Sequence, residues 1–257
     1  MHKLSARLVA FALLVFVCTL PSNVNFAYNK GTRTSVAEAA KLIFESHIRS
    51  IYDEAGLQNK DMDYSLFKTA VTGYYNLIRE NKINPQRQKL TVLDFRKPSN
   101  EKRFWVIDIN SRRVLYHTFV AHGRNSGLVY AQHFSNEPSS LQSSLGFYKT
   151  DNTYRGQNGY SLYLDGLESG FNDRARSRSI VMHGADYITP EYIAQHGRAG
   201  RSYGCPAIPN YQSTAVIDDI KWGNCLFIYH DDLSYLNNSR LLNFQKAADY
   251  YAMTNAY

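Results

Sequence analysis

The sequence predicts an α+β protein, with a mainly β body of sandwich or barrel type preceded by a helical segment. Three observations predict it. Strong helical periodicity lies ahead of Asn84-Pro85, where the pattern breaks. Beyond that point apolar residues come in short runs rich in β-branched and aromatic side chains, separated by Gly/Ser/Asn loops. No regular strand–helix alternation marks βαβ units. A chain of 257 residues is long enough for one sizeable core with an appended element.

The first element reads as a signal peptide over residues 1–27. Lys3 and Arg7 lead into the uncharged run Leu8–Leu20, short for a membrane span of ~20 residues but suited to a signal h-region. The expected cut follows Ala27, although Asn25 is not the small residue preferred there; retention as an N-terminal anchor is the alternative. Cys18 follows Val17, where a lipoprotein signal wants a small residue. A helical segment over 28–87 comes next. Its first helix, 35–55, opens on a Ser35/Glu38 capping box and stops at Gly56. Val36, Ala39, Ala40, Ile43, Phe44, His47, Ile48 and Ile51 are expected on its apolar face. A second helix runs from Tyr64 to about Asn81, capped by Asp63, with Phe67, Ala70, Val71, Tyr74, Leu77 and Ile78 inward.

The β body is expected over 88–232. Its strands are Leu90–Phe95, Phe104–Ile109, Val114–Ala121, Gly146–Lys149, Tyr160–Leu164, Ser179–His183 and Leu226–Tyr229. Asn110-Ser111-Arg112-Arg113 reads as a hairpin turn, while Ser135–Ser144 and Thr150–Gly159 read as loops. A short helix from about Tyr211 to Lys221 is stopped by Gly223. In the tail, 233–257, an amphipathic helix around Leu241–Tyr251 is expected to dock on the N-terminal pair.

Twenty-nine Lys and Arg against 22 Asp and Glu give a formal net charge of +7. The expected signal carries basic and no acidic residues, so the mature chain is basic too. That suits contact with acidic polymers such as a bacterial wall or lipid headgroups, although scattered surface lysines and arginines produce the same balance. No Lys/Arg block or nucleic-acid motif points to DNA or RNA, and no stable membrane span is expected after the signal. Three cysteines do not make a disulfide scaffold. Cys225 lies in the apolar run Cys225–Tyr229 and reads as a core residue; a Cys205–Cys225 bridge stays open at this stage.

Cys205 has a different setting, among Ser, Gly and Pro. A thiol reacts as the thiolate, so acyl transfer needs a base and amide donors near it. His183 closes the run Ile180-Val181-Met182, and the carbonyl of Gly184 is free to orient one ring nitrogen. Tyr203-Gly204 entering Cys205 suits a nest of N–H groups for an oxyanion, with Pro206 stiffening the turn. Arg198 and Arg201 flank this stretch and could hold a substrate carboxylate; Ser202 joins Arg201 as a substrate-binding candidate. His47 reads as a packed residue and His122, before Gly123, as structural or substrate-lining. A metal site from His122, His133 and His183 lacks tight ligand spacing, and no cofactor is implied.

Taken together, His183-Gly184 and Gly200-Arg201-Ser202-Tyr203-Gly204-Cys205-Pro206-Ala207 resemble the signature of the L,D-transpeptidase family of bacterial wall enzymes. The resemblance is closest to a divergent branch whose motif ends Gly-Arg-Ser-x-Gly-Cys-Pro-Ala. Phe134-Ser135-Asn136, Ser143 through Tyr148, and Leu164 through Leu167 are similar to that branch as well. It covers roughly 88–230 and leaves out the N-terminal helices. It implies an L,D-transpeptidase-like β catalytic domain, a cysteine acyltransferase with Cys205 as nucleophile and His183 as base. The substrates implied are peptidoglycan stem tetrapeptides, acylated at the third residue with release of D-alanine, in the periplasm or cell wall. Water as acceptor would make it an L,D-carboxypeptidase. Tyr203 stands where the commoner form has histidine, and Ala207 where it has a polar residue. A sortase-like reading needs an arginine on a later strand, whereas Arg240 in the tail is the only one after Cys205. Papain-like order, with Cys before His, is reversed here. A non-catalytic wall-binding module is the reading from another class, with some of the 20 tyrosines lining a sugar groove.

Overall fold

The computed structural model describes residues 30–255. The expected signal peptide, with Lys3, Arg7, Cys18 and Ala27, lies outside them. α1 (Lys30–Glu54) starts ahead of Ser35, so that residue is inside the helix and the expected capping box is not its start. Its buried face is Ala40, Phe44, Ile48, Ile51 and Tyr52. Val36 and Ile43, expected inward, are 68% and 53% exposed. The face is set by the partners α1 meets, Phe44 packing on Phe244 and Tyr251 of the tail. Gly56 ends the segment in the left-handed conformation, as expected. α2 (Tyr64–Arg79) opens with the Asp63 carboxylate accepting from Leu66 N at 3.1 Å and buries Leu66, Phe67, Ala70, Val71, Tyr74 and Leu77.

Eight strands follow: β1 (Lys89–Asp94), β2 (Phe104–Asp108), β3 (Arg113–Thr118), β4 (Gly146–Gly156), β5 (Gly159–Gly166), β6 (Val181–Ala185), β7 (Ala207–Pro209) and β8 (Cys225–Tyr229). They form one sheet in the order β3-β2-β1-β8-β4-β5-β6-β7, antiparallel except for β1 against β8 and β6 against β7. Its two ends approach each other. Ala121, just past β3, bridges Ala207 of β7, with Ala121 N donating to Ala207 O at 2.8 Å. The sheet is therefore nearly barrel-shaped, with helices contributed by both ends of the chain, an α+β protein. Leu90, Val92, Phe104, Val106, Phe147, Leu162, Leu164, Met182, Leu226 and Phe227 are buried on its two faces, Phe147 against Gly73 of α2.

Four elements differ from the sequence expectation. Thr150–Gly159 is not a loop: β4 and β5 continue through it, past an irregular step between Thr150 and Thr153, to a turn at Gln157-Asn158. β7 and α3 (Pro190–His196) are additional. α3 is capped by Thr189, which accepts from Tyr192 N at 3.1 Å, and ends at Gly197 in the left-handed conformation. The tail folds as α5 (Leu233–Asn238) and α6 (Phe244–Thr254). α6 docks on α1 and α2, where Phe44 meets Phe244 and Tyr251 at 5.3 and 5.5 Å between ring centroids. The remaining helix, α4 (Asn210–Ile220), packs Val216, Ile217 and Ile220 inward behind β6.

Candidate active site

β6 fixes His183 between two neighbours, pairing it with Ser161 of β5 and Ala207 of β7. Its Nδ1 lies 2.9 Å from the Gly184 carbonyl. A carbonyl only accepts, so the neutral ring carries its proton on Nδ1 and keeps a lone pair on Nε2. Burial lowers the imidazole pKa, with the Gly184 bond acting the other way. Position 184 has no room for a side chain. A Cβ there would stand 2.2 Å from Asn210 Oδ1 and 2.5 Å from Ser213 Oγ, so glycine is what lets α4 close on the strand.

The loop entering β7 delivers the thiol. Gly204 takes φ +121°, a conformation that glycine alone adopts easily. Ser202, buried, accepts from Gly204 N at 3.1 Å and donates to Cys205 O at 2.6 Å. This differs from the expectation for both residues: the Gly204 N–H is spent inside the turn, and so is the Ser202 hydroxyl. Among the described residues the Tyr203 and Cys205 N–H groups have no protein acceptor, which leaves that pair as the donors a developing oxyanion could meet. Cys205 Sγ sits at the start of β6, 3.5 Å from Val181 N and 3.7 Å from Ser179 O. Burial pushes the thiol pKa up, while the Val181 N–H and the charge of Arg178 pull it back. Both shifts favour the neutral forms, a thiol and an imidazole that line one cavity with no direct hydrogen bond between them. No bridge silences it, since Cys205 and Cys225 are both free and Cys225 is buried in β8.

Cys205 and His183 line the same cavity, of about 280 Å³, with Asn158, Tyr187, Arg201, Ser202 and Tyr203. Asn158 reaches it from the tip of the β4–β5 hairpin. Arg201 lies on its rim, where Nη1 donates to Arg124 O and Gly127 O at 2.9 and 3.1 Å. Arg198 lies outside this cavity, in an adjoining one.

Two arginines that sequence reasoning passed over build the surroundings. Arg178 donates from Nη1 to Ser135 O and Ser144 Oγ, and from Nη2 to Ser140 Oγ and Gln142 O, at 2.6 to 3.1 Å. It therefore pins the 135–144 loop behind the turn that carries Cys205. The alternating Arg174, Arg176 and Arg178 just ahead of β6 is the signal that could have found it. Arg103, fully buried, donates to Val120 O, Lys97 O and His122 Nδ1, the last at 2.8 Å. His122 in turn accepts Ser202 N at its own carbonyl, 3.0 Å away. That places His122 as a structural support of the loop. His47 packs in the helical layer, 2.8 Å from Tyr75 Oη. Among the described residues no group of three or more His, Cys, Asp or Glu could hold a metal ion, and His122, His133 and His183 do not converge.

A buried thiol, an imidazole with a free lone pair and unpaired amides around one cavity can transfer acyl groups. The sequence profile of the L,D-transpeptidase catalytic domain matches residues 58–229, more than half of the chain. The chain belongs to that family. The match reaches upstream of the expected start and takes in α2, so the likeness does include part of the helical segment. Among solved structures, this L,D-transpeptidase family member is similar to an L,D-transpeptidase from Mycobacterium smegmatis, at 12% identity over 56% of this chain and 59% of that one, TM-score 0.35. It is also similar to L,D-transpeptidase 1 of Mycobacterium tuberculosis (12% identity, 56% and 62%, TM-score 0.32). A third is the helical cell shape determining protein Pgp2 of Campylobacter jejuni (11% identity, 65% and 55%, TM-score 0.39). The chain spans less than two thirds of the length of each. No curated protein matches it.

Proposed function

We propose that this family member is an exported peptidoglycan L,D-transpeptidase working through a Cys205 thioester. The observation that carries the reading is the single cavity shared by Cys205 and His183, with Nε2 of the imidazole free to take a proton. Because thiol and imidazole rest neutral, the proton moves at the moment of attack. Sγ adds to the carbonyl of the third stem residue while Nε2 accepts the thiol proton. The oxyanion is held by the Tyr203 and Cys205 N–H groups, and the Gly184 carbonyl stabilises the imidazolium through Nδ1–H. Collapse breaks the C–N bond, and the imidazolium protonates the departing D-alanine amine. An amine of a second stem then attacks the thioester, gives its proton to His183, and releases Cys205 as the thiol. No metal or cofactor enters either half-reaction. Residues 1–27 serve export, 88–232 carry the chemistry, and the described helices of the flanking segments brace the sheet, α2 against β1 and β8 and α6 against α1 and α2.

The test is mass spectrometry of a purified disaccharide-tetrapeptide incubated with the protein or with Cys205→Ala. A cross-linked dimer lacking one alanine, formed by wild type alone, is the expected result. Alanine loss without dimer would make the protein an L,D-carboxypeptidase. Unchanged substrate, with no thioester adduct on Cys205, would overturn the reading in favour of a wall-binding role.

A further inference from the structure

Two cavities adjoin where the helical layer meets the β2–β3 turn, and they share Gln88 and Asn110. The first, of about 260 Å³, lies between α2, α6 and that turn, with Tyr74, Tyr75 and Tyr250 in its walls. The second, of about 240 Å³, is lined by the chain entering β1, Gln86 through Lys89, and by Asp108, Asp219 and Asn224. Among the described residues neither has a lining residue in common with the cavity of Cys205 and His183. β3 separates the two regions. It starts just after the Asn110 turn and ends near Ala121, which bridges Ala207, two residues from Cys205. Six strand residues at about 3.3 Å each put roughly 20 Å between groove and thiol.

The groove has the chemistry of a site for an uncharged, hydroxyl-rich ligand. Its charges are matched from within: Arg112 pairs with Glu54, and Lys89 lies 3.2 Å from Asp219, which leaves Arg87 and Asp108 with opposite signs. The groups still available are neutral. Among the described residues the side-chain amides of Gln86, Gln88 and Asn110 have no hydrogen-bond partner. Neither has the Tyr74 hydroxyl, although Tyr74 is only 2% exposed. A buried hydroxyl without a partner is unfavourable until a ligand or water meets it.

Trp222 stands at the other end. It is 50% exposed, with φ +65°, a conformation that a bulky residue adopts rarely. Hydrogen bonds hold the backbone in it, Trp222 N donating to Asp151 O at 3.2 Å and Gly223 N to Thr150 O at 2.7 Å. The Arg87 guanidinium, in the wall of the second cavity, lies 5.7 Å from the indole. The turn thus displays a flat apolar face at the rim of a groove of amides and hydroxyls. Such faces stack on the C–H faces of pyranose rings, while amides and a phenol exchange hydrogen bonds with sugar hydroxyls and N-acetyl groups.

The distance to the thiol says which sugars. An extended stem of three residues spans about 10 Å, so the sugar that carries the attacked stem does not reach the groove. We propose that the groove from Tyr74 through Gln88 and Asn110 to Trp222 binds a chain of N-acetylated sugars of the wall polymer, away from the stem being acylated. Rings further along the same strand, or on a neighbouring one, fill it and give the protein a second attachment to the polymer. This rests on the reading above for the identity of the polymer, and adds a site outside the catalytic cavity.

The experiment is titration calorimetry of the full-length protein with wall glycan freed of its stems, and with tetra-N-acetylchitotetraose as a defined N-acetylated chain. Wild type should bind both, and Tyr74→Phe, Gln88→Ala and Trp222→Gly should each bind about 3- to 10-fold more weakly, the range for one lost hydrogen bond or ring contact. Glycine relieves the backbone at 222 and Gln88 is exposed, so these two variants keep the fold. Turnover of a disaccharide-tetrapeptide should be unchanged in all three, while cross-linking of polymeric sacculi falls with the affinity. No binding of either sugar chain by wild type, equal binding by all three variants, or displacement of the sugars by a sugar-free stem tetrapeptide would overturn the proposal. So would an equal loss of turnover on the small and the polymeric substrate. Sugar binding that the variants weaken upholds the groove even if wild type releases no D-alanine, in which case only the acyl-transfer reading falls.

Discussion

Arg178 reaches four oxygens of the 135–144 loop with one guanidinium, and the same group biases the thiol that this loop backs. Replacing it with glutamine removes a positive charge that favours the thiolate. The thiol pKa, already raised by burial, should rise further. Alkylation of Cys205 by iodoacetamide, followed against pH, should therefore show its midpoint displaced upward in Arg178→Gln; an unmoved midpoint would restrict Arg178 to a scaffolding part. Ser202→Ala tests the turn itself. Two hydrogen bonds within the turn are lost and the Gly204 N–H is left unsatisfied, at a cost of about 1–3 kcal/mol in stability. A thermal melt should register that loss, together with slower acylation of Cys205. The residues of the motif were legible in the sequence because they are contiguous or, like His183, close an apolar run. Arg178, Arg103 and Asn158 were not, because each matters through groups far away in the chain. A buried arginine such as Arg103 has no local sequence mark at all.

At the level of elements, sequence legibility followed the hydrophobic pattern. The strands that line the core were readable to within a residue or three at each end, because alternation or continuous apolar runs record their burial. The outer half of the β4–β5 hairpin was not. Asp151 through Gly156 is mostly intermediate or exposed, so no periodicity marks it as strand, although it sets Asn158 over the cavity. β7 is three residues long, ends in Pro209 and follows Pro206, which hides it further. Docking of the tail was foreseen from its amphipathic pattern, yet the residue that clips it was not. Asn76, fully buried in α2, donates to Leu241 O at 2.8 Å and Asn243 O at 2.9 Å. Asn76→Ala leaves two carbonyls without that donor and should cost about 1–3 kcal/mol. Hydrogen exchange should show the loss of protection concentrated in α6, with the strands around His183 little changed.

For the molecule as a whole, buried histidines set the response to acid. Burial, with the charge of Arg112 adding to it, lowers His47 to about 4. Burial likewise lowers His122 to about 3, and the adjacent Arg103 guanidinium acts in the same direction. In the unfolded chain both take up protons near the ordinary histidine value of about 6.5. Between there and about 4 the unfolded state binds more protons, so stability is full above this window and declines as pH falls through it. The melting temperature should drop from pH 6.5 to 4, and less steeply in His47→Phe; matching slopes for the two proteins would exclude His47 as a contributor. The strand order has a consequence of another kind. β8 lies between β1 and β4 in the middle of the sheet, although its residues come after every other strand in the chain. A nascent polypeptide that has emerged only as far as Asn224 leaves two strand edges open, and its thiol and imidazole have no finished platform. Synthesis thus sets an order: Cys205 emerges ahead of Cys225–Tyr229, and the sheet that carries its loop is complete only once that last strand slots into the gap.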